Sequence, residues 1–342
     1  MGSTLLARAS RVAHVKKARS FSIVTVLVAA LCAPVVASAT TWLRPLFLKR
    51  STYGESFTFI ADLDDGSYVQ ISMSITNLGL GSTRGLCRAL VIPPQGPPWN
   101  GSAHFGLAAV KWTDGQVERL TIGTCSAWVE GATSGAEVQL ERGTVRLVFG
   151  ERIQLYSPKD SIVSVGEGRY QTEVLLYRTP VSAALSLPGE PPRDHSGAGY
   201  LDHTRNTVPP RDLANRWIRF RALRGENSLL LLGRDGRDGR FAPLWACRGA
   251  GRCREYQSFR LKRDGPDKAP TFRVNVVGAE EAIQIRSDRL LYRDAPIERL
   301  GVAGKLVTPF TGSPVTYVYR ATATEGANPP ADGILEVELS GE

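Results

Sequence analysis

Apolar and polar residues alternate with a period of two through most of this chain. In residues 68–75 the apolar side chains, among them Val69 and Ile71, alternate with glutamine and serine side chains. This pattern is typical of a β-strand with one buried face. The turn sequence Asp64-Asp65-Gly66 separates this segment from the apolar and aromatic run at 57–60. The sequence therefore predicts a β-hairpin at the start of the folded region.

The same alternation recurs along the rest of the chain. We predict further strands at 104–112, 117–122, 137–141, 145–149, 153–156, 173–177, 217–222, 229–232, 241–247, 256–261, 272–277, 283–286, 302–307, 315–321 and 334–339. After residue 40, no segment combines a long 3.6-residue period with capping residues at both ends. These patterns predict an all-β protein with at most one short helix, near residues 210–215.

Proline and glycine interrupt the strand pattern once, between residues 180 and 199. The runs at 188–192 and 196–199 have a composition that disfavours a central strand. We therefore predict two tandem antiparallel β-barrels, an N-terminal one at 40–187 and a C-terminal one at 200–342, joined by a linker at 188–199. Each half has enough strands to close a small antiparallel barrel, which removes exposed edges and can leave an interior cavity. One continuous sandwich is the alternative architecture.

The first 39 residues have the features of an export signal. Five basic residues and no acid precede an apolar run at 21–36, and the small residues Ala37-Ser38-Ala39 follow it. We predict a signal peptide at 1–39 with cleavage near Thr40, and hence an exported protein in the periplasm or outside the cell. No membrane span remains after cleavage. An uncleaved anchor is the alternative, since the apolar run approaches spanning length.

Charge and cysteine content narrow the possible partners. Removing the signal takes away five basic residues, so the formal net charge falls from +9 to +4, and the remaining arginines lie among acids, as at 234–238. We therefore predict no nucleic-acid partner. Four cysteines remain, which allow three disulfide connectivities. We predict a Cys247–Cys253 pair around a glycine-rich loop and a Cys87–Cys125 pair, each stabilising the fold by about 2–4 kcal/mol. The spacing lacks paired C-x-x-C motifs, so we predict no metal and no other cofactor.

Histidine is scarce, and one of the four histidines lies in the densest group of polar residues. Tyr200, Asp202, His203 and Arg205 fall within six residues ahead of a predicted strand. A carboxylate can orient an imidazole, and an apolar cavity would sharpen the acidity of the pair. Asp202, His203 and Tyr200 are therefore candidate catalytic residues. A purely structural role, in which the group ties down the interdomain loop, is the alternative.

Three further residues are candidates for ligand binding. Arg205 belongs to the same polar segment, and Trp217 offers an aromatic face that can stabilise a cation. His104, next to Phe105, would line the first barrel if its side chain pointed inward. Two of the three have a simpler alternative, namely an ion pair for Arg205 and a surface or capping role for His104.

Several of these segments together resemble a known superfamily. Residues 61–70 lead to Ile75-Thr76-Asn77-Leu78-Gly79, and Gly199-Tyr200-Leu201-Asp202-His203 and Trp217 follow in order. This arrangement, spanning roughly residues 55–340, is similar to the lipocalin-like two-barrel superfamily of carotenoid 1,2-hydratase (hydroxyneurosporene synthase), AttH-type proteins and survival-factor-like proteins. The resemblance implies a paired β-barrel whose cavity accepts a long hydrophobic molecule. In the hydratase branch it implies acid-catalysed addition of water to a terminal isoprenoid double bond.

The chain departs from the hydratase pattern at the residues that carry the chemistry. His203 matches the histidine of that branch, but Arg205 occupies the position of a tryptophan, and the run at 229–232 lacks the expected tyrosine and aspartate. We therefore predict an exported lipocalin-like protein that binds or carries a hydrophobic ligand, such as a lipid, an isoprenoid or a carotenoid-like molecule. The alternatives are a hydratase, cyclase or isomerase acting on such a substrate, and a non-catalytic structural protein of the cell envelope.

Overall fold

A computed structural model describes residues 41–77, 83–156, 161–237, 244–249, 252–278, 282–299 and 313–340. The predicted signal peptide at 1–39 and the predicted strand at 302–307 lie outside these residues. Within them, no helix has the length and the apolar character required to cross a membrane.

Nearly all regular structure in these residues is β-strand. Twelve strands form the first sheet: β1 (Gly54–Leu63), β2 (Tyr68–Thr76), β3 (Arg84–Ile92), β4 (Trp99–Gly106), β5 (Val110–Thr113), β6 (Val117–Ile122), β7 (Cys125–Glu130), β8 (Thr133–Leu140), β9 (Gly143–Phe149), β10 (Ile162–Val165), β11 (Gly168–Ser186) and β12 (Arg193–Asn206). Nine strands form the second sheet: β13 (Arg216–Arg221), β14 (Leu230–Asp235), β15 (Leu244–Arg248), β16 (Arg252–Glu255), β17 (Ser258–Asp264), β18 (Thr271–Val277), β19 (Ile283–Asp294), β20 (Pro314–Glu325) and β21 (Asn328–Ser340). The helical elements in the described residues are a 3-10 turn at Leu107–Ala109 and two short helices, α1 (Pro210–Leu213) and α2 (Pro296–Arg299).

Both sheets are antiparallel and curled, which confirms the all-β prediction. The first sheet runs β4-β3-β2-β1-β12-β11-β9-β8-β7-β6-β5, with β10 pairing β11, and it is a nearly closed barrel. The second runs β16-β15-β14-β13-β21-β20-β19-β18-β17 and is a half-barrel. In each sheet the first strand along the chain pairs with the last, so β1 pairs with β12 and β13 with β21. The short helix predicted near 210–215 is present as α1.

The predicted linker at 188–199 differs from the structure, because residues 193–199 belong to the central strand β12. Two glycines explain how this segment joins the sheet. A Cβ on Gly197 would lie 2.4 Å from the carbonyl oxygen of Asp62, and a Cβ on Gly199 would lie 2.4 Å from the ring of Phe149. The absence of side chains here allows β12 to pass close to its neighbours. The last strand of the first sheet therefore ends at Asn206, beyond the predicted boundary at residue 200.

Three of the four apolar clusters in the described residues account for most of the packing. The first fills the interior face of the first sheet and includes Phe57, Phe59 and Leu201. The second lies on the concave face of the second sheet. The third joins residues of both sheets, among them Tyr200 from β12 and Leu230 from β14, so the outer face of the first sheet packs against the second. Burial of these faces is the main stabilising contribution to the fold.

Both predicted disulfides are present. The Cys87–Cys125 bond, named here the interior disulfide, joins β3 to β7, and both cysteines belong to the core of the first barrel. The Cys247–Cys253 bond, named here the hairpin disulfide, joins residues that lie directly opposite each other on β15 and β16. Each bond therefore closes a loop within one sheet.

Candidate functional site

Strand β12 separates the polar residues that the sequence places side by side. His203 lies opposite Phe57 on β1, whereas Asp202 lies opposite Thr58. Because successive side chains of a strand point to opposite faces, His203 and Arg205 face the interior of the first barrel. Tyr200 and Asp202 face the second sheet. The predicted Asp202–His203 pair is therefore not brought together by the structure.

The partner of His203 is Glu55, at the start of β1. The Nε2 atom of His203 lies 2.7 Å from Oε1 of Glu55, and the two side chains are 1% and 0% exposed. The imidazole ring also stacks on Phe57, with 4.0 Å between ring centroids. A buried imidazole–carboxylate pair thus lies in the interior of the barrel, with a glutamate in the place expected for Asp202.

A second ion pair covers His203 on the solvent side. Arg205 Nε donates to Glu55 Oε1 at 3.1 Å, and Arg205 Nη1 lies 3.5 Å from Oε2 of Glu173 on β11. The same Glu173 oxygen is 3.8 Å from His203 Nδ1. The side chains of Arg205 and Glu173 are about a quarter exposed, at 26% and 22%. These two residues therefore form the boundary between the buried pair and water.

The segment before β1 closes the same end of the barrel, and we name residues 41–53 the N-terminal strap. The backbone N–H of Leu43 donates to Glu118 on β6 at 2.8 Å, and that of Leu46 donates to Glu55 at 2.9 Å. Both carboxylates are buried and belong to different strands. Two inward-facing glutamates thus anchor the strap across the barrel, with Leu43 fully buried beneath it.

The hydrogen bonds around Glu55 determine the charges of the site. Burial raises the pKa of Glu55, but hydrogen bonds from His203, Tyr53 and the Leu46 N–H outweigh it and bring this pKa to about 2. Burial lowers the pKa of His203, against the opposing hydrogen bond to Glu55. The pKa of Tyr53 is raised by its burial and by the Glu55 charge. At neutral pH a neutral His203 therefore donates from Nε2 to an ionised Glu55, which leaves Nδ1 as a proton acceptor.

Tyr200 and Asp202 belong instead to a buried ionic network between the sheets. Arg221 Nη2 lies 3.6 Å from Asp202 Oδ2, Arg221 Nη1 donates to Glu336 at 3.0 Å, and the guanidinium lies 4.6 Å from the centre of the Tyr200 ring. Burial raises the pKa of Asp202 in spite of the arginines. Burial also acts on Glu336, but Arg219 and Arg221 lower its pKa. This network holds β12 against β13 and β21.

The two remaining predicted ligand residues lie apart from His203. Trp217 is 8% exposed and packs against Tyr170, with 4.9 Å between ring centroids, on the face of β13 that meets the first sheet. His104 is exposed on the outer side of β4, because its inward-facing neighbours on the strand are Ala103 and Phe105. The structure thus places Arg205 beside His203 and places Trp217 and His104 elsewhere.

A groove opens along the edge strand β4 of the first barrel. It has a volume of about 610 Å³ and lies between β4 and residues 139–142, at the turn that joins β8 to β9. Trp99, Phe105 and Leu140 provide its apolar lining, and Arg142 adds a charged group.

The sequence contains a signal for Glu55, which was not among the predicted site residues. Glu55 precedes Phe57 and Phe59 at a spacing of two, so the alternation that predicts β1 also places this carboxylate inward. A charged group on a buried face requires partners, and His203 is one of them. Glu173, 118 residues after Glu55, carries no comparable local signal, because the pairing of β11 with β12 brings it to the site.

Comparisons with known proteins identify the fold. No protein-family model matches the chain, and no curated protein matches it significantly. Solved structures do match. An AttH-type protein from Nitrosomonas europaea is 16% identical over 83% of this chain and 91% of its own, with a TM-score of 0.56. Kievitone hydratase from Nectria haematococca is 9% identical over 84% and 89%, with a TM-score of 0.52.

A third neighbour is CghA, crystallised with Sch210972. It is 11% identical over 85% of this chain and 89% of its own, with a TM-score of 0.55. These similarities extend over most of each chain, but at such low identity they concern the fold alone. The chain has the lipocalin-like two-barrel fold of these structures, which confirms the fold expected from the sequence resemblance.

Proposed function

We propose that the protein is exported and binds a hydrophobic small molecule, a lipid or an isoprenoid, in the groove along β4. The observation that carries this proposal is the groove itself, whose volume of about 610 Å³ lies within the range of small-molecule sites. Trp99, Phe105 and Leu140 offer apolar contacts, and Arg142 can orient a polar group of the ligand.

Two further observations support the proposal. One fold neighbour was crystallised with the small molecule Sch210972, and another is named kievitone hydratase. Two proteins of this fold are therefore described together with a small molecule, which supports a small-molecule ligand for this chain. The two disulfides support export, because such bonds persist in oxidising compartments.

A pair of substitutions on β4 tests the groove. Ala103→Phe places a large side chain in the groove, whereas His104→Phe places the same side chain on the outer face of the same strand. We titrate each variant with cis-parinaric acid, a fluorescent polyene fatty acid. Ala103→Phe should bind it roughly tenfold more weakly than the wild type, whereas His104→Phe should bind it with the wild-type affinity. Circular dichroism confirms that both variants fold. Equal affinities of the two variants would show that the probe does not bind in the groove.

The buried His203–Glu55 pair supports a second candidate function, acid–base chemistry on an isoprenoid or polyene. Its protonation states favour removal of a proton by the neutral imidazole over protonation of an alkene, which needs a strong acid. Isomerisation therefore fits the site better than hydration. Incubation with such substrates tests this function, and unchanged turnover in His203→Gln would remove His203 from the reaction.

A further inference from the structure

Large exposed apolar side chains gather at one end of the first barrel. Among the described residues, six such side chains are at least 39% exposed: Leu46, Phe47, Leu48, Leu107, Leu155 and Ile162. Scattered single residues of this kind are ordinary on a protein surface, but a group of them marks an interaction site. The question is how many of the six lie together.

The strand register and the hydrogen bonds of the N-terminal strap place five of them at the same barrel end. Ile162 lies opposite Gln171, which lies opposite Arg205, and Arg205 lies opposite Glu55. The same row continues from Glu55 through Ile75 on β2 and Gly85 on β3 to Phe105 on β4. Neighbouring strands are about 4.8 Å apart, so this row follows the rim of the curled sheet.

The exposed apolar residues border this row. Ile162 is its first member, and Leu107 comes two residues after its last member, Phe105. Leu46 is tied to the row by the hydrogen bond from its N–H to Glu55. Leu155 lies beside a more distant part of β11. We name Leu46, Phe47, Leu48, Leu107 and Ile162 the barrel-end surface.

The tip of the N-terminal strap is held out from the core. The N–H of Phe47 donates to the Tyr53 hydroxyl, and the carbonyl of Leu48 accepts from the Asn77 side chain. Phe47 has a φ of 48°, a left-handed conformation that is costly for a residue with a Cβ. The backbone is thus fixed by its own hydrogen bonds while three consecutive apolar side chains face solvent.

Positive charge surrounds the barrel-end surface. Lys49 and Arg50 follow the apolar tip directly, and both are exposed. Arg84 lies opposite Gly106 at the end of β4, and Arg169 lies at the start of β11. Among the described residues, the exposed acid beside these four cations is Glu167, so the cations outnumber it. Apolar side chains within a ring of cations match the chemistry of an anionic lipid surface.

We propose that the barrel-end surface docks the protein on an anionic lipid bilayer, with its apolar side chains in the headgroup region. The apolar side chains would enter the boundary of the acyl chains, and Lys49, Arg50, Arg84 and Arg169 would contact lipid phosphates. The proposal goes beyond ligand binding in the groove. The docking proposal can fail independently of ligand binding in the groove, because the affinity of the groove for a soluble probe is measured without membranes.

Environment-sensitive labels in the full chain test the docking. In a Cys32→Ser background, single cysteines replace Leu107, Ile162 or, as the control, the exposed Gln95 in the turn at the opposite end of β3 and β4. Each is labelled with a nitrobenzoxadiazole dye without reduction of the disulfides. Each labelled protein is then mixed with one of two kinds of vesicle. One kind contains phosphatidylcholine alone, and the other contains equal amounts of phosphatidylcholine and phosphatidylglycerol.

We expect emission at positions 107 and 162 to shift to the blue on the anionic vesicles, with no change at position 95. The double variant Lys49→Gln/Arg50→Gln, which alters only exposed side chains, should weaken this response roughly 30-fold in lipid concentration. An equal response on uncharged vesicles, or an equal response at position 95, would overturn the proposal. A concentration-dependent shift without vesicles would also overturn it, because a second copy of the chain would then cover the surface.

Discussion

The buried Glu55 carboxylate predicts a specific dependence of stability on pH. Its pKa is about 2 in the folded protein, against an ordinary value of 4.5. At about 1.4 kcal/mol for each tenfold change in proton affinity, ionised Glu55 stabilises the fold by about 3 kcal/mol. The side chain is fully buried, so water does not screen this contribution. Because the folded-state pKa is the lower one, the contribution is complete above the ordinary value of 4.5 and is lost as the pH falls towards 2.

Glu55→Gln removes the ionisable group and keeps its size. We expect the variant to unfold with a free energy about 3 kcal/mol below that of the wild type at pH 7, and the difference to close between about pH 5 and pH 2. Urea unfolding at a series of pH values measures both quantities. Glu130→Gln, at an exposed end of β7, is the control and should follow the wild type throughout. A difference that stays constant from pH 7 to pH 2 would refute this account of Glu55.

Two further predictions concern the contacts that hold the sheets. Arg221→Met leaves the buried Asp202 without its ion-pair partner and leaves Glu336 with Arg219 alone, and it should lower the free energy of unfolding by about 3–5 kcal/mol. Asp202→Asn should cost clearly less, because burial already raises the pKa of Asp202 and disfavours its charge; urea unfolding of both variants compares them, and equal losses would contradict this reasoning. Replacing both cysteines by serine should cost about 4 kcal/mol for the interior disulfide and about 2 kcal/mol for the hairpin disulfide, because they close loops of 38 and 6 residues. Thermal unfolding compares the stability lost in the two variants. A larger loss of stability without the hairpin disulfide would contradict the loop-entropy argument.

Much of the fold follows from local patterns. Alternating apolar residues predict a strand wherever one face is buried, and the β2 segment at 68–76 is a clear case. The central strand β12 was not predicted because its glycines are favourable only in context. The nearby Asp62 carbonyl leaves no space for a side chain at Gly197, and the Phe149 ring leaves none at Gly199. Such close approaches between distant segments leave no trace in the local sequence.

The candidate site was predictable in part. The scarcity of histidine drew attention to His203, which the structure places in a buried polar cluster. The predicted pairing with Asp202 conflicts with strand alternation, because adjacent residues of a strand face opposite sides of the sheet. Glu55 lies 148 residues away in sequence, and only the pairing of β1 with β12 brings it to His203. The groove depends on the open edge of β4, which the sequence does not specify.

The location of a bound hydrophobic molecule tests the central claim most directly. A crystal of the protein with a bromine-labelled fatty acid gives the position of the ligand from the anomalous signal of bromine. The account predicts a bromine site in the groove along β4, between Trp99 and Leu140. A ligand bound against the second sheet, or crystals that never contain the ligand at saturating concentration, would contradict it.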